Sequence, residues 1–171
     1  LAEINGISNP NIIRVGQVLR LTNSTPANIA VDVDYRVRAG GVWLPGVCGL
    51  TDFAGCNNGM TPITDVALRV SAGSVKYRVH VCGGGWLNWI TGCNINDQTH
   101  GYAGKGQPID AVEIYYHTPD SIRPYKCAKY RAAPCGGNYY PWQLDDQTTA
   151  GQDGYAGTFG REIAKLQIEI A

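Results

Sequence analysis

Tyr77-Arg78-Val79-His80-Val81-Cys82-Gly83-Gly84-Gly85-Trp86-Leu87-Asn88-Trp89-Ile90 is the stretch that decides the fold of this chain. Its first five residues alternate, the pattern of a strand with one face buried. Three glycines follow, free to take the positive φ of a tight turn. Trp86 to Ile90 then reads as a second strand. A polar loop, Asn94 to Gly101, leads into Tyr102-Ala103-Gly104, and Ile109 to Tyr116 alternates as the last strand.

The same order of residues occurs on either side. One copy runs from Tyr35-Arg36-Val37 through Trp43-Leu44-Pro45 to Phe53-Ala54-Gly55, and another from Tyr130-Arg131-Ala132 through Tyr139-Tyr140-Pro141-Trp142 to Tyr155-Ala156-Gly157. Their final strands read Ile63 to Val70 and Ile163 to Ile170. The opening tyrosines lie 42 and then 53 residues apart, about the length of one supersecondary unit. Such a unit cannot bury its apolar face alone, so it must stack on its siblings, and three suffice to close a ring. The expected architecture is an all-β domain over 32–171 with pseudo-three-fold symmetry, its repeats at about 32–74, 75–125 and 126–171. A β-prism-like and a β-trefoil-like arrangement both fit. A fourth strand per repeat is hard to find, which leans towards the prism.

Composition narrows the functional classes. Of 171 residues, 14 are basic and 14 acidic, so there is no cationic surplus for phosphate backbones and nucleic acid is not an expected partner. No apolar run reaches the roughly 20 residues of a membrane-spanning helix. The 22 glycines and 10 tyrosines suit short strands and tight turns better than packed helices. The six cysteines form no Cys-x-x-Cys and have no histidine at ligand spacing, so neither zinc nor another metal is expected, and no cofactor. Cys48 and Cys56, which would close a short loop, are the one pair worth considering as a disulfide. Cys82 and Cys93 would sit at opposite ends of a strand, too far apart in a regular hairpin.

Residues 1–21 read as a separate piece. Leu1-Ala2-Glu3-Ile4-Asn5 has helical spacing with Gly6 as its stop, Ser8-Asn9-Pro10-Asn11 is turn chemistry, and Gly16 to Leu21 alternates like a closing strand. This segment resembles the second half of a LysM module, short helix and closing strand included. The resemblance implies a chain that begins inside that module, with any upstream catalytic domain missing. Residues 22–31 read as a linker.

The repeat motif is similar to the clostridial hydrophobic repeat with a conserved tryptophan, known as ChW. The second copy carries it best, with Tyr77, His80, Val81, Gly85, Trp86, Trp89, Ala103, Gly104, Ala111 and Ile114. The first copy departs at Gly46, where the second tryptophan would fall, and at Arg38. The third departs at Tyr139 and Ala133. Such repeats follow the catalytic domains of family 25 muramidases and N-acetylmuramoyl-alanine amidases. The resemblance therefore implies the targeting end of a bacterial or phage cell-wall hydrolase. Its partner would be peptidoglycan or another cell-wall glycan, and its place extracellular or at the wall, through secretion or phage lysis. A monomer is expected.

Candidate binding residues come from the polar loops. Asn94 to Gly101 and Asp145 to Asp153 occupy equivalent places and are rich in amides and carboxylates that suit sugar hydroxyls. Asn96, Asp97, Asp145 and Asp146 are the expected polar contacts, with Tyr102 and Tyr155 as stacking faces. Trp89 and Trp142, nearest the loops, are expected on the surface, and Trp86 and its relatives in the core. Trp86 and Trp89, three apart, point to opposite faces of a regular strand. The first copy has shortened its loop to Cys48–Asp52, so a site there should be weaker or absent.

No catalytic residue is assigned. Glu113 and Glu169, read as equivalent positions of two last strands, follow the logic of a repeat and not that of a unique acid pair. His80, His100 and His117 have no activated nucleophile nearby in sequence. The competing reading is a structural or protein-interaction domain that docks a catalytic domain.

Overall fold

The computed structural model describes residues 29–171. The LysM-like segment, its expected helix and most of the linker lie outside them. The described chain is all-β, with twelve strands and no helix.

Three antiparallel hairpins carry the structure. They pair β1 (Val33–Ala39) with β5 (Ile63–Val70), β6 (Ser74–Val81) with β8 (Ile109–His117), and β9 (Ala128–Pro134) with β12 (Ile163–Ile170). Alternation along the first strands turns Val33, Tyr35 and Val37, then Val75, Tyr77 and Val79, then Ala128, Tyr130 and Ala132 into a common core. The last strands add Val66, Leu68, Val112, Ile114, Leu166, Ile168 and Ile170, while Val70 packs against the core only partly buried. Each hairpin has one register shift, at Arg38/Ala39, His80/Val81 and Ile163/Lys165. Such bulges bend and twist a ribbon so that it can wrap around a core.

The Tyr/Phe-Ala-Gly triplets are the joints between hairpins. Ala54–Gly55 (β4) pairs with β12, Ala103–Gly104 (β7) with β5, and Ala156–Gly157 (β11) with β8. Each alanine is buried, and the glycines sit at φ 151°, 144° and 143°. A Cβ at these glycines would collide with backbone carbonyls of the neighbouring strand, at Ala164, Thr64 and Asp110. Close backbone approach and positive φ together explain why the triplet ends in glycine. The result is three sheets, β2–β1–β5–β7 with β3 also on β1, β11–β8–β6, and β10–β9–β12–β4, where β2 is Val42–Trp43, β3 Val47–Cys48 and β10 Gln143–Leu144. They do not join into a closed barrel.

The buried tyrosines brace these joints. The Ile168 amide donates to the Tyr35 hydroxyl at 3.3 Å, and the backbones of Leu68 and Ile114 lie beside the Tyr77 and Tyr130 hydroxyls. Every one of these contacts ties one hairpin to another. Burial raises all three phenols well above their ordinary range, so they remain neutral donors and acceptors.

The second strand expected at Trp86 to Ile90 is not continuous. Only the isolated bridges Tyr77–Ile90 and His80–Trp86 hold it to β6. Asn88 and Trp89 bulge between those bridges, and the strict alternation of side chains is lost with them.

Candidate functional site

The two long loops are shaped from inside. The Tyr77 hydroxyl sits 2.7 Å from the Gly92 carbonyl and 3.3 Å from that of Gly101, closing the base of the first loop. The Tyr130 hydroxyl lies 2.7 Å from the Asp145 carbonyl and 3.2 Å from that of Gly154, closing the second. In the first hairpin the Tyr35 hydroxyl donates to a single loop carbonyl, that of Gly49 at 2.8 Å, because the loop there is short. A buried tyrosine on the first strand of each hairpin thus fixes a loop entrance on the surface.

Within the first loop Asp97 accepts the amides of Thr99 and His100 at 2.9 and 3.1 Å, and Asn94 accepts that of Asn96 at 3.0 Å. The His100 and Thr99 amides hold the Asp97 carboxyl below its ordinary range. Asn96 is exposed, and Tyr102 is buried, its ring edge-on to Trp43 at 5.2 Å. In the second loop Asp146 is exposed, but Asp145 turns inward. Its Oδ1 accepts the amides of Tyr116 and Ala128, both at 2.9 Å, tying β8 to β9. Burial pushes the Asp145 carboxyl upward, opposed by those two amides.

All four tryptophans are half-buried, so Trp86 and Trp43 do not join the core as expected. Nor do Trp86 and Trp89 face opposite ways. The Arg78 guanidinium lies over both rings, 4.8 and 4.6 Å from their centroids, because the segment bulges between its bridges. Lys76 adds a second cation 4.4 Å from the Trp89 ring. The third hairpin repeats this, with Arg131 over Tyr139 and Trp142 at 4.3 and 4.2 Å, and Lys129 over Trp142 at 4.8 Å. Lysine and arginine two residues apart on one strand face are separated by roughly 7 Å, room for one flat ring between them. Trp89 and Trp142 are therefore clamped, their faces occupied by the protein's own cations.

The open aromatic surface lies at the seam between the second and third hairpins. Tyr155 stacks on Phe159 at 4.9 Å, Phe159 on His80 at 4.2 Å, and Trp86 meets Tyr155 edge-on at 5.7 Å. Phe159 is 48% exposed. Beneath it the fully buried Asp110 holds His80 Nδ1 at 2.6 Å and accepts the Gly160 amide at 2.7 Å. Sequence reasoning missed Phe159 and the His80–Asp110 pair. The available signal was an aspartate on the inward side of a last strand, where alternation calls for an apolar residue.

Glu113 and Glu169 are not equivalent as expected. Glu113 is registered opposite Arg78 and Glu169 opposite Lys129, two residues out of step. Each forms an ion pair with its partner, at 2.6 and 2.8 Å. The cysteines are all free, so the Cys48–Cys56 crosslink does not form. Cys48 instead shares a cavity of about 500 Å³ with Cys93, together with Asp34, Arg36, Gly46, Arg69 and Asn94. Among the described residues no group of three or more His, Cys, Asp or Glu side chains is arranged to hold a metal ion. Comparison of the chain with protein-family models, curated proteins and solved structures found no match.

Proposed function

We propose that this chain is a non-catalytic module that binds peptidoglycan or a related cell-wall glycan, built as a pseudo-three-fold ring of hairpins. The observation that carries the reading is the preorganised loop. Tyr77 and Tyr130 close the two long loops at their bases, and Asp97 locks the first from within. Binding to such loops costs little ordering entropy. Asn96 and Asp146 present polar groups to solvent, and the Tyr155 ring, held by stacking on Phe159, is the surface offered to the C–H side of a pyranose. The three pairings β5–β7, β8–β11 and β12–β4 support the ring, and the separate sheets support its prism-like form. The module would work outside the cell or at the wall, joined to a hydrolase. Six unpaired thiols favour synthesis in a reducing compartment and release by lysis over export through an oxidising one.

Co-sedimentation with protein-free peptidoglycan sacculi tests the reading. The expected result is that the chain pellets, and that Asn96→Ala with Asp146→Ala and Phe159→Ala reduces the pelleted fraction at least several-fold. A chain that stays in the supernatant refutes it and favours a protein-interaction domain.

A further inference from the structure

The three hairpins treat one arginine differently. Arg78 is registered opposite Glu113, Arg131 opposite Gln167, and Arg36 opposite Ala67. Arg78 bonds Glu113 at 2.6 Å, and Arg131 bonds Gln167 at 2.8 and 3.0 Å. Each also stacks on an indole, Trp89 or Trp142. The first hairpin has lost both partners at once, since Ala67 cannot accept a hydrogen bond and Gly46 stands where the indole would be. Among the described residues the Arg36 guanidinium makes no hydrogen bond or ion pair.

The space left behind is the cavity of about 500 Å³ walled by Arg36, Gly46, Val47, Cys48 and, across the seam, Asn94 and Ile95. Arg69 also lines it, but is paired with Asp34 at 3.2 Å. The cavity therefore carries two arginines against one aspartate, a surplus of one positive charge. A guanidinium offers a ring its flat face and a carboxylate its fork of donors. The volume lies within the range of small-ligand sites and admits one sugar ring.

We infer that this cavity is a binding site for a pyranose bearing a carboxylate, whose ring takes the place of the missing indole on Arg36 and whose anion accepts from the Arg36 guanidinium. The inference deepens the glycan-binding reading and rests on it for the ligand class. It assigns a site to the first hairpin, where the short loop suggested little or none. Two different glycan contacts then lie on one body, the acidic-sugar cavity at the seam of the first and second hairpins and the Tyr155 ring at that of the second and third.

N-acetylmuramic acid and N-acetylglucosamine differ by a lactyl carboxylate and are the discriminating probes. In an amide and arginine Nε–H NMR titration, N-acetylmuramic acid should shift Arg36, Gly46, Val47 and Asn94, with N-acetylglucosamine at least tenfold weaker. Arg36→Gln, an exposed position, should remove that preference. Gly46→Trp copies the protein's own second and third hairpins, and a Cβ there meets nothing closer than the Arg36 guanidinium at 3.5 Å. It should fill the cavity, leave the melting temperature unchanged or higher, and abolish the shifts. Equal shifts by both sugars, equally strong competition by the ringless anion glycerol phosphate, or unchanged binding in a folded Gly46→Trp variant would each overturn the inference. If the wild-type chain pellets with sacculi but N-acetylmuramic acid shifts none of these residues, the cavity assignment fails while the glycan-binding reading stands. If the chain does not pellet, the latter fails.

Discussion

Asp145 tests whether the second loop is anchored from within. Its carboxylate accepts two backbone amides, Tyr116 from β8 and Ala128 from β9, and its own backbone is left-handed at φ 45°. Asp145→Ala leaves both amides without an acceptor, at about 1–3 kcal/mol each, and places alanine in a conformation that costs about 1–2 kcal/mol. The loss should be about 3–8 kcal/mol, a large part of a typical domain's stability. Asp145→Asn keeps an acceptor at Oδ1 and suits the left-handed backbone, so at pH 7 it should lie within about 1 kcal/mol of wild type. The pH dependence has a definite sign. Burial raises the folded carboxyl's pKa above its unfolded value near 3.8, so the folded state binds the proton more readily. Wild type should therefore gain stability relative to Asp145→Asn as pH falls through the folded pKa, and the gain should be complete below the unfolded one. Urea denaturation of all three proteins between pH 7 and pH 3.5 measures both effects. Asparagine as damaging as alanine, or alanine within about 0.5 kcal/mol of wild type, would show that the two amides are not what holds this loop.

Ile114 is fully buried in the common core, and Ile114→Ala should cost about 2–5 kcal/mol in denaturant titration with an unchanged m-value. Gly157→Ala forces a Cβ against the Asp110 carbonyl at positive φ and should lower the melting temperature by more than the same change at Gly160, whose Cβ would meet open space. On sacculi, Asn96→Ala and Asp146→Ala with Tyr155→Ala should each weaken retention, and together far more than additively, because two contacts on one body gain effective concentration on a polymer. Asp52→Ala with Phe53→Ala should change retention little.

Much of the fold is readable in the residues because strand alternation and the Ala-Gly joint are local signals. Tyr35, Tyr77 and Tyr130 face inward where the pattern puts them, and the apolar sides of the last strands line the core. The tryptophans were less readable because their placement depends on a bulge. Two isolated bridges leave Trp86 and Trp89 free to turn towards the same arginine, which no period-two rule can foresee. Asp145 looked like its exposed neighbour Asp146, and only the arrival of β8 and β9 at one point gives it two amides to accept. The Arg36 cavity did have a signal. Gly46 in place of tryptophan marks the departure, but its meaning needed the register that sets Ala67 opposite Arg36.

The pairing of β12 with β4 brings Leu166 beside Ala54, across most of the described chain. Closure by so distant a contact makes the topology one of high contact order, so folding should be slow and its last step should need β12. Loss of β12 would strip cover from both β4 and β9 and leave two unpaired edges, a route to edge-to-edge aggregation. New ends are a different matter. The Thr118–Lys126 excursion between the second and third hairpins is fastened by the Thr118 hydroxyl to the Lys126 amide and carbonyl, both at 2.9 Å, and carries no strand. A circular permutant opened there keeps all three hairpins whole, whereas truncation at Glu162 breaks the third and uncovers the first.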